Sequence, residues 1–155
     1  DRLRSRGLGD VYKRQLLYFI IKEAGTAMID KRLEQGIKNL QEIDGEAGER
    51  VIESLETIAP NVGRYILEFA FGDIYNSDTL SFREREIVTI TSLLTQGDTK
   101  NQLMVHINGS LNVGITEEEI IEIFTHCIPY VGFPRVLNAI TSAKEVFESR
   151  NHASA

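Results

Sequence analysis

Apolar residues recur along this chain at steps of three and four, the period of a helix with one buried stripe. Ile29, Leu33, Ile37, Leu40 and Ile43 define the first run, Met28 to Ile43, with Asp30 placed to cap its start. Asp44-Gly45 interrupts it. A second run passes through Ala47, Val51, Ile52, Leu55 and Ile58 and stops at Ala59-Pro60, because the residue before a proline avoids the helical region. A third, rich in aromatic residues, covers Asn61 to Tyr75, with Tyr65, Ile66, Phe69 and Ala70 expected inward. Asn76 to Thr79 reads as a polar loop.

The second half of the chain is punctuated more sharply. Ser81-Phe82-Arg83-Glu84 is a capping box, in which serine and glutamate three apart satisfy each other's free backbone donors. The fourth helix then runs to Gln96, where Gly97 supplies a stop. A fifth starts at Asp98 or Thr99 and ends at Gly114. Thr116 to Glu119 forms a second capping box and sets carboxylates at the positive end of a sixth helix, which reaches Val131. Gly132-Phe133-Pro134 breaks it and opens a seventh carrying Val136, Leu137, Ile140, Ala143, Val146 and Phe147. No stretch alternates with a period of two. The expected fold is an all-α helical bundle of about six to seven helices with short connections.

Residues 1–27 begin with an arginine-rich stretch that has no apolar period, and they read as a non-native or disordered extension. Residues 28–150 read as one domain, and 151–155 as a frayed tail. The net charge of -6 argues against non-specific nucleic-acid binding, which needs a surplus of phosphate-neutralising cations. No apolar run approaches the roughly 20 residues of a bilayer span. The single cysteine, Cys127, precludes an intrachain disulfide and suits a reducing cytoplasm.

Two side chains stand out for chemistry. Glu86 lies four before Ile90 and seven before Leu93, which sets a carboxylate beside the apolar face of the fourth helix. Such a group is partly desolvated and suited to handling protons, although pairing with Arg83 or Arg85 is the plainer reading. His106 follows Leu103 by three and precedes Ser110 by four, so it faces inward or toward a gap left by small residues. Histidine changes charge nearest neutrality. A buried histidine bonded to a backbone carbonyl is the plainer reading there. His126 and Cys127 are adjacent and diverge around a helix, so they form no dyad. Arg64, Arg83, Arg85 and Arg135 are available as anion contacts, and Tyr75 and Tyr130 stand at helix ends beside the same stretch. No Cys-x-x-Cys, His-Glu-x-x-His or spaced carboxylate set occurs, so no metal is expected.

The segments FGDIY, FREREIVTITSL, QLMVHINGSLNVGITEEEIIEIF and YVGFPRVLNAITSAKEVF together resemble the carboxymuconolactone decarboxylase family, within the wider alkylhydroperoxidase-like superfamily. The resemblance covers roughly Met28 to Arg150. It implies an all-α fold, no metal or organic cofactor, and homo-oligomers, trimers or hexamers, with sites near subunit contacts. It also implies loss of CO2 from γ-carboxymuconolactone, a step in the breakdown of protocatechuate. On this resemblance Glu86 and His106 are the catalytic pair, with proton delivery by His106 and orientation by Glu86. Arg85, Arg83, Gln102, Tyr130 and Tyr75 are the candidate substrate contacts. Two departures from the pattern stand out. The cysteines of the peroxidase branch are replaced here, near Thr99 and at Gln102, so a disulfide cycle has no thiol pair. The decarboxylases' Trp-x-x-Ile-Trp and following Arg-Pro-Gly are replaced by Phe71 to Tyr75 and by Ser77-Asp78-Thr79, and their glutamate four before the histidine by Gln102.

Overall fold

A computed structural model describes residues 31–153. The expectations for residues 1–27 and for a cap at Asp30 lie outside that range. Within it the elements are α1 (31–43), α2 (Gly45–Leu55), α3 (Pro60–Tyr65), a π-helix (Ile66–Ile74) continuous with α3, α4 (Phe82–Gln96), α5 (Lys100–Asn112), α6 (Glu117–Val131) and α7 (Phe133–Ala153). No strand occurs among the described residues, and the all-α expectation holds.

Local sequence signals set most of the boundaries. Ser81 accepts from the Glu84 amide, and the Glu84 carboxylate accepts from Ser81 N (2.7 Å), completing the first capping box. Thr116 and Glu119 do the same at α6. α4 stops at Gly97. α7 continues through Asn151, His152 and Ala153, into the segment expected to fray.

Two apolar clusters form the core. The larger joins α4, α5, α6 and α7 through Ile90, Ile107, Ile120, Phe124, Val136 and Val146, all essentially buried. Each such side chain contributes about 1.5–3 kcal/mol when taken out of water. The smaller joins the end of α1 to the π-helix through Leu40, Ile43 and Phe71. The candidate site lies where these two clusters meet.

The third predicted helix is where the sequence pattern and the structure diverge. From Ile66 onward the backbone winds as a π-helix, whose wider turn is shown by the bond from Tyr75 N to Ala70 O, five residues back. The wider winding changes which residues share a face. Tyr65 and Phe69, expected inward, are 63% and 59% exposed, while Phe71 and Gly72 are buried. Ile66 and Ala70 do turn inward, toward a cavity. α1 crosses this segment backbone to backbone. A Cβ on Gly36 would lie 1.9 Å from Leu67 O, and one on Gly72 would lie 2.5 Å from Arg32 O, so neither position has room for a side chain. Asn39 Nδ2 donates to the buried Phe71 carbonyl (2.8 Å), and Arg32 grips Asp73 with two hydrogen bonds (2.8 and 2.6 Å). Ile58, placed on the second apolar stripe, is 80% exposed, because α2 ends at Leu55 and a turn follows.

Candidate functional site

Three helix segments deliver one polar residue each to the seam between the clusters. Ile43 is fully buried, and the chain leaves α1 at the next residue, so Asp44 is carried inside with it. Glu86 lies one helical turn before the fully buried Ile90 on α4. His106 precedes the fully buried Ile107 on α5, and the short link 97–99 folds α5 back against α4. Asp44 is 4% exposed and Glu86 0%.

His106 Nδ1 lies 3.1 Å from Glu86 Oε2 and 3.7 Å from Asp44 Oδ1. The Tyr75 hydroxyl donates to Glu86 Oε1 (3.0 Å) and lies 2.9 Å from Thr89 Oγ1. Glu86 thus has a partner on each oxygen, as a buried carboxylate requires. Asp44 Oδ1, also buried, has none among the described residues. Gly109 makes the crowding possible: a Cβ there would lie 2.6 Å from Asp44 Oδ1 and 3.1 Å from Glu86 Oε2.

The titrations follow from these contacts. Burial pushes Asp44 up from the usual carboxylate range to about 7; the His106 charge opposes the rise and the Glu86 charge adds to it. Burial works against a charged His106, but the Glu86 hydrogen bond and the two nearby carboxylates outweigh it, and its pKa is raised. Burial, then the Glu86 charge, holds the Tyr75 phenol well above its ordinary value. One donor atom each from Asp44, Glu86 and His106 falls within 4.8 Å of the others, close enough to share a metal ion. No spacing in the sequence announced that set, since its members come from three segments. Two of the three atoms also lie within hydrogen-bonding distance of each other, so the same cluster can share protons.

Asp44, Tyr75 and His106 face a cavity of about 320 Å³, the lower end of the range for small-ligand sites, and Glu86 stands behind them with no exposed surface. Its walls are apolar: Leu40, Val51, Ile52, Ile66, Ala70 and Phe71. Its polar lining is Asp44, Tyr75, Thr89, Asn101, Gln102 and His106. Of the residues expected from sequence, His106, Tyr75 and Gln102 line it, and Glu86 is bonded to the first two from behind.

The others are placed elsewhere in this chain. Arg85 Nη2 donates to Ser77 O (2.7 Å) and its Nε to Leu80 O (3.2 Å), so it braces the loop before α4, 5.7 Å from the centre of the Tyr75 ring. Arg83 pairs with Glu119, Arg64 with Glu68, and Arg135 donates to the Thr95 carbonyl. Tyr130 is 76% exposed and lies against His126. Among the described residues no lysine or arginine lines the cavity. Cys127 is buried in the larger cluster. Asp44, Thr89 and Asn101 are the polar site residues that sequence reasoning missed, and Asp44 is the one that titrates near neutrality. As Asp-Gly at a break between helices it carries the mark of a turn, and only its place next to the buried Ile43 hints that it goes inside.

The comparisons with known proteins agree with the resemblance. The sequence model of the carboxymuconolactone decarboxylase family matches residues 60–145. That span includes Tyr75, Glu86, Gln102 and His106 and leaves out Asp44. The chain is 32% identical over 120 residues to 4-carboxymuconolactone decarboxylase of Acinetobacter baylyi, covering 77% of this chain and 89% of that one. It is 27% identical over 120 residues to a nitrosuccinic acid decarboxylase of Metarhizium robertsii, covering 76% of this chain and 83% of that one. A third relative, peroxisomal protein 2 of Saccharomyces cerevisiae, is 30% identical over 92 residues, 59% of this chain and 32% of that protein.

Proposed function

The chain belongs to the carboxymuconolactone decarboxylase family, and from that premise we propose that it is a carboxy-lyase releasing CO2 from a small anionic lactone such as 4-carboxymuconolactone. The observation that carries this reading is the Glu86–His106 pair, 3.1 Å apart, with His106 on the wall of a largely apolar cavity and Glu86 buried behind it. Loss of CO2 from an unsaturated lactone leaves an electron pair that spreads into the ring as a dienolate. The site must hold the departing carboxylate where water is scarce, meet the new oxyanion with donors, and supply one proton per turnover. Glu86 holds the imidazole by Nδ1 and favours its charged form, so Nε2 is the donor left for substrate. Tyr75 fixes Glu86 from the other side. Gln102 and Asn101 offer amides at the cavity wall.

Arg83, Arg85 and Tyr130 have no part in this reading within one protomer. Tyr130, Phe133 and Leu137 are exposed apolar side chains close together in sequence, which supports a homo-oligomer as part of the same proposal. The lone buried Cys127 fits a reducing compartment such as the cytoplasm. No helix of the described residues is long and apolar enough to cross a membrane.

The test is direct: purified protein is mixed with 4-carboxymuconolactone and lactone loss is followed in the ultraviolet beside CO2 release. One observation favours a second reading. With no arginine or lysine among the described residues on the cavity wall, the second reading is a protein that binds a small ligand without decarboxylating it. A ligand that raises the melting temperature while no CO2 appears would select that reading. A thiol peroxidase is disfavoured, since the sequence holds one cysteine.

A further inference from the structure

Asp44 is the acid of this site that the reading above leaves idle. Its position is built rather than incidental. The carbonyl of Ile43, the residue before it, accepts from Asn112 Nδ2 at 2.8 Å, so the end of α5 holds this corner of α1. α2 turns Gly48 toward it, where a Cβ would lie 2.7 Å from Asp44 Cβ. The titratable groups that face it are Glu86 from α4, His106 from α5 and Tyr75 from the end of the π-helix. Asp44 lines the cavity, yet Oδ1 has no hydrogen-bond partner among the described residues. An ionised carboxylate oxygen buried without a donor is expensive, whereas a neutral carboxyl keeps an O–H for whatever enters the cavity.

We propose that Asp44 is a second catalytic acid of this site, a neutral carboxyl that delivers the proton replacing CO2 while His106, held by Glu86, keeps its proton and donates to the lactone oxygen. The proposal rests on the carboxy-lyase reading and divides the donor's work between two residues. The bond from the ring carbon to the carboxylate breaks, and its electron pair passes into the ring. The Asp44 O–H then breaks as a C–H bond forms on the conjugated carbon. The products are CO2, the protonated lactone and an Asp44 carboxylate, which takes a proton back from solvent before the next turnover. Burial places Asp44 at about 7, where an acid can both give up and recover a proton near neutrality. Its charge state also decides what the cavity admits. With Asp44 neutral, Glu86 and His106 cancel and an anion can enter. With Asp44 ionised, the three groups sum to one negative charge and repel an anion.

The test compares wild type with Asp44→Asn, which keeps the shape and removes the transferable proton. On 4-carboxymuconolactone, kcat is expected to fall about 100-fold or more. The wild-type decline of kcat/KM above about pH 7 should be missing from the residual activity of D44N. Infrared titration gives a readout independent of turnover: a protonated-carboxyl band present at pH 6, lost as pH rises through 7, and absent from D44N. If wild type shows no such band, Asp44 is ionised at rest and the proposal falls, whether or not the variant folds. If wild type is active and D44N matches it, only the role of Asp44 is overturned. If wild type consumes no lactone, the carboxy-lyase reading and this role fall together.

Discussion

Glu86, with no exposed surface, holds His106 by Nδ1 at 3.1 Å across the packing of α4 on α5. That bond sets which nitrogen of the imidazole is committed to the protein and which is left for a ligand. It also sets the first expected outcome. His106→Gln should lower kcat on the lactone by about 10²–10⁴-fold, the usual range for losing a group that delivers a proton or donates to a developing oxyanion. Far-ultraviolet circular dichroism and the melting temperature should stay close to wild type, because the side chain is partly exposed at the cavity. Undiminished lactone loss by this variant would remove His106 from the mechanism.

Glu86→Ala is expected to damage the fold itself. It strands the Tyr75 hydroxyl and a charged imidazole in a buried place. Breaking a buried pair by removing one partner costs about 3–5 kcal/mol. Urea unfolding measures that loss. In the milder Glu86→Gln, nuclear magnetic resonance titration should show the His106 pKa lower than in wild type, since the hydrogen bond to Glu86 is the leading influence raising it.

Stability should decline as pH rises from about 4 to about 7. Asp44 ionises near 4 in the unfolded chain and near 7 in the folded one, so the folded state binds the extra proton in that window. The change at stake is on the order of 4 kcal/mol at most. His106 acts with the same sign one step higher. Its raised folded pKa adds stability below about 6.5 that is lost as pH climbs through the folded value. Urea midpoints of wild type and D44N across pH 4–8 test this. The slope between 4 and 7 should be shallower in the variant, and D44N should be the more stable protein at pH 8, where wild type buries an extra charge.

Gly109→Ala should cost stability despite the better helix propensity of alanine. The new methyl group would meet Asp44 Oδ1 at 2.6 Å and Glu86 Oε2 at 3.1 Å. Overpacking costs about 1–3 kcal/mol, more than the roughly 1 kcal/mol that alanine returns in a helix. The same displacement pushes the carboxylates away from His106, so kcat should fall with stability. A variant more stable than wild type would show that the carboxylates have room to move.

Dialysis against a chelator should leave turnover unchanged if Asp44, Glu86 and His106 share protons. Loss of activity restored by a divalent cation would reassign the three as an ion site, which their mutual distances of under 4.8 Å also allow. Metal content of the freshly purified protein, measured alongside, makes the result unambiguous.

The sequence by itself determined the helices and several of their ends. Capping at Ser81 and Thr116 is a contact between residues three apart, so it needs nothing from the rest of the fold. Helical period also placed Glu86 and His106 on inward faces, because a face is set by neighbours three and four residues away. Tertiary structure decided the remainder. The π-winding from Ile66 to Ile74 undid the expected burial of Phe69, since α1 packs there closely enough to need Gly36 and Gly72. Arg85 and Arg83 were drawn to the Ser77 carbonyl and to Glu119, partners that local spacing does not reveal. Asp44 became part of the site only because α1 delivers its last turn between α4 and α5. An aspartate at a helix break has the same local signature in water or in a cavity, and only the packing around it decides whether it keeps its proton.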